Sequence, residues 1–133
     1  MQTLLMFVNG GAMRGGPLHH LLGGATLVAE VATQPRYKFW SVRDEFPALQ
    51  PLAGRGGVAV PGELYEVSYD ILDRLLDGEP AELELGVVHL QQGFGSLAMV
   101  LRSGYVDAER ELGLIDISEA GGWRAYLAGK GET

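Results

Sequence analysis

Two adjacent histidines, His19 and His20, follow closely on the run Asn9, Gly10, Gly11 and Ala12, and this pairing has the means for acid–base chemistry on an anion. Imidazole exchanges a proton near neutral pH. Glycines let successive peptide N–H groups converge on a carboxylate, most readily beside the start of a helix. A bare glycine turn has the same sequence, so both readings stand. Only one of two neighbouring helical residues faces a given site. His20 is taken as that residue, with His19 at a cap or on the surface. Arg14 offers a cation next to the loop, or is a solvated surface arginine. Glu63 and Tyr65 fall on one face of a strand, where an acid and a phenol point into a sheet mouth; Tyr65 in the core is the alternative. The histidine pair also begins a metal site, but no third ligand stands at a fixed spacing, and no metal is expected.

These residues need elements to hold them. The apolar run at residues 4–9 reads as a first strand entering the glycine loop. Pro17 then opens a short helix over residues 18–22, which Gly23 and Gly24 end. Residues 25–33 and 36–42, rich in β-branched and aromatic side chains, read as two strands or one kinked strand. From Arg43 to Arg55, Pro47, Pro51 and Gly54 interrupt any periodicity, so a loop is expected. Residues 57–67 read as a long strand, with Pro61 marking an edge or bulge. Ser68 caps a helix whose Leu72, Leu75 and Leu76 face inward, and Gly78 and Pro80 close it. Residues 81–102 read as a hairpin, and Trp123, Tyr126 and Leu127 mark a terminal helix docked by its aromatic face.

Composition narrows the function classes. The 133 residues, 47% of them hydrophobic, fit one domain over residues 1–133 with one core. Cysteine is absent, which excludes thiolate catalysis and cysteine-held zinc. With 17 acidic against 10 basic residues and no cationic cluster, no nucleic-acid partner is expected. The N-terminal apolar run is too short for a signal core or membrane span, so a cytoplasmic protein with no membrane partner is expected. Strands and short helices at irregular intervals argue for an α+β fold with a barrel-like sheet and against regular βαβ alternation.

The segment from Phe7 to Gly15 resembles the glycine-loop signature of the γ-glutamylcyclotransferase-like (AIG2-like) fold, and residues 57–73 resemble its central strand and helix. Within that fold, Gly15 to Leu21, Pro80 to Val88 and above all Asp116 to Leu127 (DISEAGGWRAYL) resemble the C-terminal domain of allophanate hydrolases. The likeness runs over nearly the whole chain without an amidase-signature domain, and so implies a freestanding relative of that second domain.

The resemblance implies a small carboxylated substrate of the N-carboxycarbamate type, whose decarboxylation needs groups to hold carboxylate oxygens, a proton donor and no cofactor. Tyr37 and Lys38 match a Tyr-Arg pair of the family pattern and are candidates to meet that carboxylate. The cyclotransferase branch uses a glutamate just after the helix as base. Asp77 is taken as its nearest equivalent, one methylene shorter, and Glu79 as out of register. The alternatives are a γ-glutamylamine cyclotransferase and a non-catalytic accessory of a separate amidase. A homodimer is left open.

Overall fold

Alternating apolar residues and well-placed caps account for most of the architecture. The computed structural model describes residues 2–54, 56–105 and 109–130, without the side chains of Glu109 and Arg110. Arg55, at the end of the expected loop, lies outside the described residues. The strands are β1 (Leu4–Val8), β2 (Thr26–Ala32), β3 (Tyr37–Val42), β4 (Phe46–Pro51), β5 (Pro61–Val67), β6 (Leu83–His89), β7 (Gly95–Leu101) and β8 (Leu114–Asp116). The helices are α1 (Tyr69–Asp77), α2 (Glu109–Leu112) and α3 (Trp123–Lys130).

The larger sheet has the order β2-β5-β1-β7-β6, and the smaller the order β4-β3-β8. β1 runs antiparallel to β5 and parallel to β7, so it sits at the centre of a mixed sheet. The fold is the expected α+β one, with the strands divided between two sheets instead of closed into a barrel. Phe7, Phe39, Leu49, Leu64, Val67 and Val88 form part of the continuous core at 1% exposure or less. Burying a side chain of this kind contributes about 1.5–3 kcal/mol relative to leaving it in water.

Ser68 caps α1 as its sequence predicts, accepting the Ile71 N–H at 3.2 Å. Ile71, Leu72 and Leu75 form the buried face. Asp70, Asp73 and Asp77 fall three and four residues apart on the solvent side. Arg74 of α1 donates to the carbonyls of Leu21 and Gly23 at 3.0 and 2.8 Å, tying the helix to the segment that follows the glycine loop. That segment holds the expected short helix as a single 3-10 turn, His19–Leu22.

The expected loop between Arg43 and Arg55 instead contains β4, paired with β3 from Tyr37↔Pro51 to Val42↔Phe46. Its prolines are compatible with a strand because β4 is an edge of the smaller sheet, where a missing N–H breaks no second ladder. Arg43 and Asp44 make the tight turn, with φ of 53° and 60°. The long strand expected from Gly57 is shorter. It begins at Pro61, the first residue of β5, while Val58 makes only an isolated bridge to Tyr37.

Candidate functional site

The glycine loop leaves the end of β1 and forms one wall of a cavity of about 180 Å³. Asn9, Gly10, Gly11 and Ala12 line it, and so does Glu79, just beyond the end of α1. Met6, Leu75, Leu83 and Met99 supply apolar wall, and Phe46 and Pro47 of β4 close a further side. Gly10 is required here for space, since a Cβ at this position would lie 2.7 Å from Pro47 Cδ.

The loop is held in shape by its carbonyls. Gly10 accepts the Met13 N–H at 3.1 Å and Gly11 accepts the Leu18 N–H at 2.9 Å. Among the described residues, no protein acceptor takes the N–H groups of Gly10, Gly11 and Ala12. Three consecutive peptide donors therefore stand next to the cavity, the donor set a carboxylate needs.

Glu79 is the titratable group of this cavity whose charge the structure disfavours. Burial raises its carboxyl pKa above the ordinary value, so it holds a proton more readily than a surface glutamate does. Its N–H bonds back to the Leu76 carbonyl at 3.2 Å, and this turn brings Glu79 to the cavity wall. Asp77 is exposed on the solvent side of α1 and does not line the cavity. Of the two carboxyls that the sequence reading weighed after α1, Glu79 and not Asp77 lines this cavity, together with Glu45 from the turn before β4. The spacing of Asp70, Asp73 and Asp77 on one outer helix face is the signal that distinguishes them.

Glu63 and Tyr65 do share a face of β5, but their polar groups bind one another and two arginines. Glu63 Oε1 accepts from the Arg14 N–H at 2.8 Å and from the Tyr65 hydroxyl at 2.9 Å. Its Oε2 accepts from Arg14 Nε at 2.9 Å and Arg124 Nη2 at 3.0 Å. Burial alone would raise the Glu63 pKa, yet the Arg14 N–H, both guanidinium groups and the tyrosine hydroxyl overcome it and hold the carboxyl down at about 2. Burial and the bond to Glu63 push the Tyr65 hydroxyl up to about 12. Arg14 also pairs with Glu30 at 2.8 Å. Neither Arg14, Glu63 nor Tyr65 lines the cavity.

The histidine that turns inward is His19, where the sequence reading placed His20. His19 Nδ1 lies 3.0 Å from the Ala12 carbonyl, and its ring stands 6.2 Å from that of Tyr65. A proton on Nδ1 makes this a bond that braces the loop. His20 is exposed. Tyr37 is buried with its hydroxyl accepting the His89 N–H at 2.8 Å, a bond between β3 and β6. Lys38 lies over the Trp40 ring at 4.8 Å and 3.8 Å from Asp116. Tyr37 and Lys38 therefore stand apart from the glycine loop.

Two wider depressions exist, of about 560 and 640 Å³, one beside β2 and α3 and the other around Lys38 and β8. Neither contains the glycine loop. Among the described residues, no group of three or more His, Cys, Asp or Glu is placed to hold a metal ion. No helix among them is long and apolar enough to cross a membrane.

The sequence model described as the allophanate hydrolase C-terminal domain matches residues 4–128. Among solved structures, a uropathogenic E. coli-specific protein is 31% identical with a TM-score of 0.85, over 96% of this chain and 98% of that one. An allophanate hydrolase of Kluyveromyces lactis is 25% identical with a TM-score of 0.85, over 98% of this chain and 22% of that one. This chain therefore spans less than a quarter of the length of that hydrolase. An AIG2-like protein of Mus musculus, at 24% identity and a TM-score of 0.63 over 81% of this chain and 82% of that one, shares the fold. No curated protein matches the chain.

Proposed function

Because the chain belongs to the allophanate hydrolase C-terminal domain family, we propose that the Glu79 cavity binds a small carboxylated urea derivative of the N-carboxycarbamate type and releases carbon dioxide from it. One observation carries this reading. Three consecutive residues whose peptide N–H groups have no protein acceptor and a glutamate with a raised carboxyl pKa line the same small cavity.

The chemistry follows from those groups. The N–H groups of Gly10, Gly11 and Ala12 hold one carboxylate of the substrate. The bond between nitrogen and the departing carboxylate breaks, and its electron pair stays on nitrogen. The protonated Glu79 gives its proton to that nitrogen, leaving carbamate and carbon dioxide, and regains a proton from water. The apolar wall of Met6, Leu75, Leu83 and Met99 favours loss of a carboxylate, because the neutral product tolerates a dry environment better than the anion does. The substrate is itself the product of an amidase step, so a separate amidase is the partner this reading implies.

The test supplies allophanate to an amidase lacking decarboxylation activity and follows carbon dioxide release. Addition of this protein is expected to accelerate release, and a Glu79→Gln variant is expected not to. Equal acceleration by the variant, or none by the native chain, rejects the mechanism.

A second reading is favoured by the same glutamate. Glu79 beside the glycine loop, in its ionised form, is the base that the cyclotransferase resemblance requires, and it has the full glutamate length that Asp77 lacks. Release of 5-oxoproline from a γ-glutamylamine, abolished by Glu79→Gln, would identify that activity.

A further inference from the structure

The cavity's donor loop is held from the far end of the chain. Arg124, in the first turn of α3, donates through one nitrogen to two acceptors, the Arg14 carbonyl at 2.6 Å and Glu63 Oε2 at 3.0 Å. Glu63 in turn accepts the Arg14 peptide N–H at 2.8 Å. Both peptide groups of Arg14 are thereby fixed, one directly by α3 and one through the buried carboxylate. Arg14 stands two residues beyond Ala12, the last of the three donors.

The seat of α3 is equally specific. Gly122 has a φ of 114°, and a Cβ there would lie 2.7 Å from Pro61 Cγ. Only glycine takes that backbone conformation at this separation, so the Gly-Trp pair lets α3 lie directly over the start of β5, two residues before Glu63. Trp123 is buried at 6% exposure beside it and fixes the rotation of the helix. Arg124 then follows at the position from which its guanidinium reaches both Arg14 and Glu63.

We propose that Arg124 is a positioning residue for the glycine loop, acting through Glu63 and the Arg14 carbonyl, so that α3 forms part of the site without lining its cavity. This rests on the reading of the Glu79 cavity as the functional site. Charge-assisted bonds to a buried carboxylate are the strong kind, and Glu63 is fully buried. Loosening one of them frees the loop locally, while β6 and β7, which Arg124 does not touch, keep their own ladder.

The test compares native protein with Arg124→Ala and Arg124→Lys by amide hydrogen exchange, with no substrate present. The reporters are the Met13, Arg14 and Leu18 amides, whose bonds close the loop, and the Val88 and Ala98 amides as reference. Arg124→Ala is expected to speed exchange at the loop amides by about tenfold or more, the loss equivalent to one charge-assisted bond, and to leave Val88 and Ala98 unchanged. Arg124→Lys is expected to restore part of the protection. Arg124→Met, which keeps the aliphatic stem, takes the place of the alanine variant if that chain does not fold. In the turnover assay, the same variants are expected to raise KM about tenfold with kcat changed by less than about twofold, because the donors are misplaced while Glu79 is untouched. Unchanged loop exchange, or equal acceleration in β6 and β7, overturns the proposal. Because the exchange measurement needs no reaction, a native protein without turnover counts against the proposed function and leaves this inference to be decided by the amides.

Discussion

Tyr65 donates its hydroxyl to Glu63 Oε1 at 2.9 Å from two residues along the same strand, and the two side chains lie almost wholly inside the protein. A carboxylate at that depth persists because Arg14 and Arg124 also donate to it from the rim. The arrangement gives the fold a dependence on acid and couples three distant parts of the chain.

Glu63 is expected to contribute to acid unfolding. Its folded pKa lies at about 2, below its ordinary 4.5, so the stability it supplies is fully present above pH 4.5 and is lost as pH falls towards 2. Urea unfolding across this range should show a slope that Glu63→Gln flattens. At neutral pH the same variant should lose about 3–5 kcal/mol, because two guanidinium groups keep their place without the charge they face. An unchanged slope would remove Glu63 from the acid response.

Asp44 should behave differently because it sits at the surface. Hydrogen bonds from Lys130, Tyr126 and Ser41 hold its carboxyl at about 2. Tyr126→Phe removes the hydroxyl that lies 2.6 Å from Asp44 and is expected to lower stability less than Glu63→Gln does. The Lys130 contribution should fade in 1 M salt, where charges are screened beyond about 3 Å, while that of Glu63 should persist. Thermal unfolding at two salt concentrations, with Lys130→Met and Glu63→Gln, separates the two.

The pH dependence of turnover should follow Glu79. Burial raises its pKa, and the protonated form is the donor, so the rate should fall as pH rises through that raised value. Glu79→Gln should remove this limb and lower the rate by about 100-fold or more. Asp77→Asn, altering an exposed side chain, should leave both rate and profile unchanged. A loss in the aspartate variant equal to that in the glutamate variant would reverse the assignment.

Gly10→Ala should disturb the site from its wall. The new methyl group would meet Pro47 at 2.7 Å, forcing the loop or β4 to shift. Overpacking of this sort costs about 1–3 kcal/mol, measurable by denaturant unfolding. Substrate affinity should fall with it, since Gly10 is one of the three donor residues.

Most strands and the Ser68 cap were legible in the sequence, because each is written in local alternation or in a single capping residue, whereas the three-residue β8 lies in a stretch to which no element was assigned. β4 was hidden by Pro47 and Pro51, which signal a loop unless the strand is known to be an edge. The glycine loop was legible as a loop leaving the first strand, but the placement of Glu79 rather than Asp77 in the cavity beside it was not. Which residue turns inward after Gly78 depends on how the chain leaves α1. The partners of Glu63 were out of reach for another reason. Arg14 stands 49 residues before it and Arg124 61 residues after, and no local pattern records such a meeting.

Titration of isotope-labelled protein with malonate, an unreactive dicarboxylate of the proposed substrate's shape, tests the central claim most directly. The account predicts that the amide signals of Gly10, Gly11 and Ala12 shift together, with one dissociation constant, while the Glu79 carboxyl signal moves in step. Shifts confined to the depression beside Arg124 or to the surface around Lys38, with the three loop amides unmoved, would contradict it.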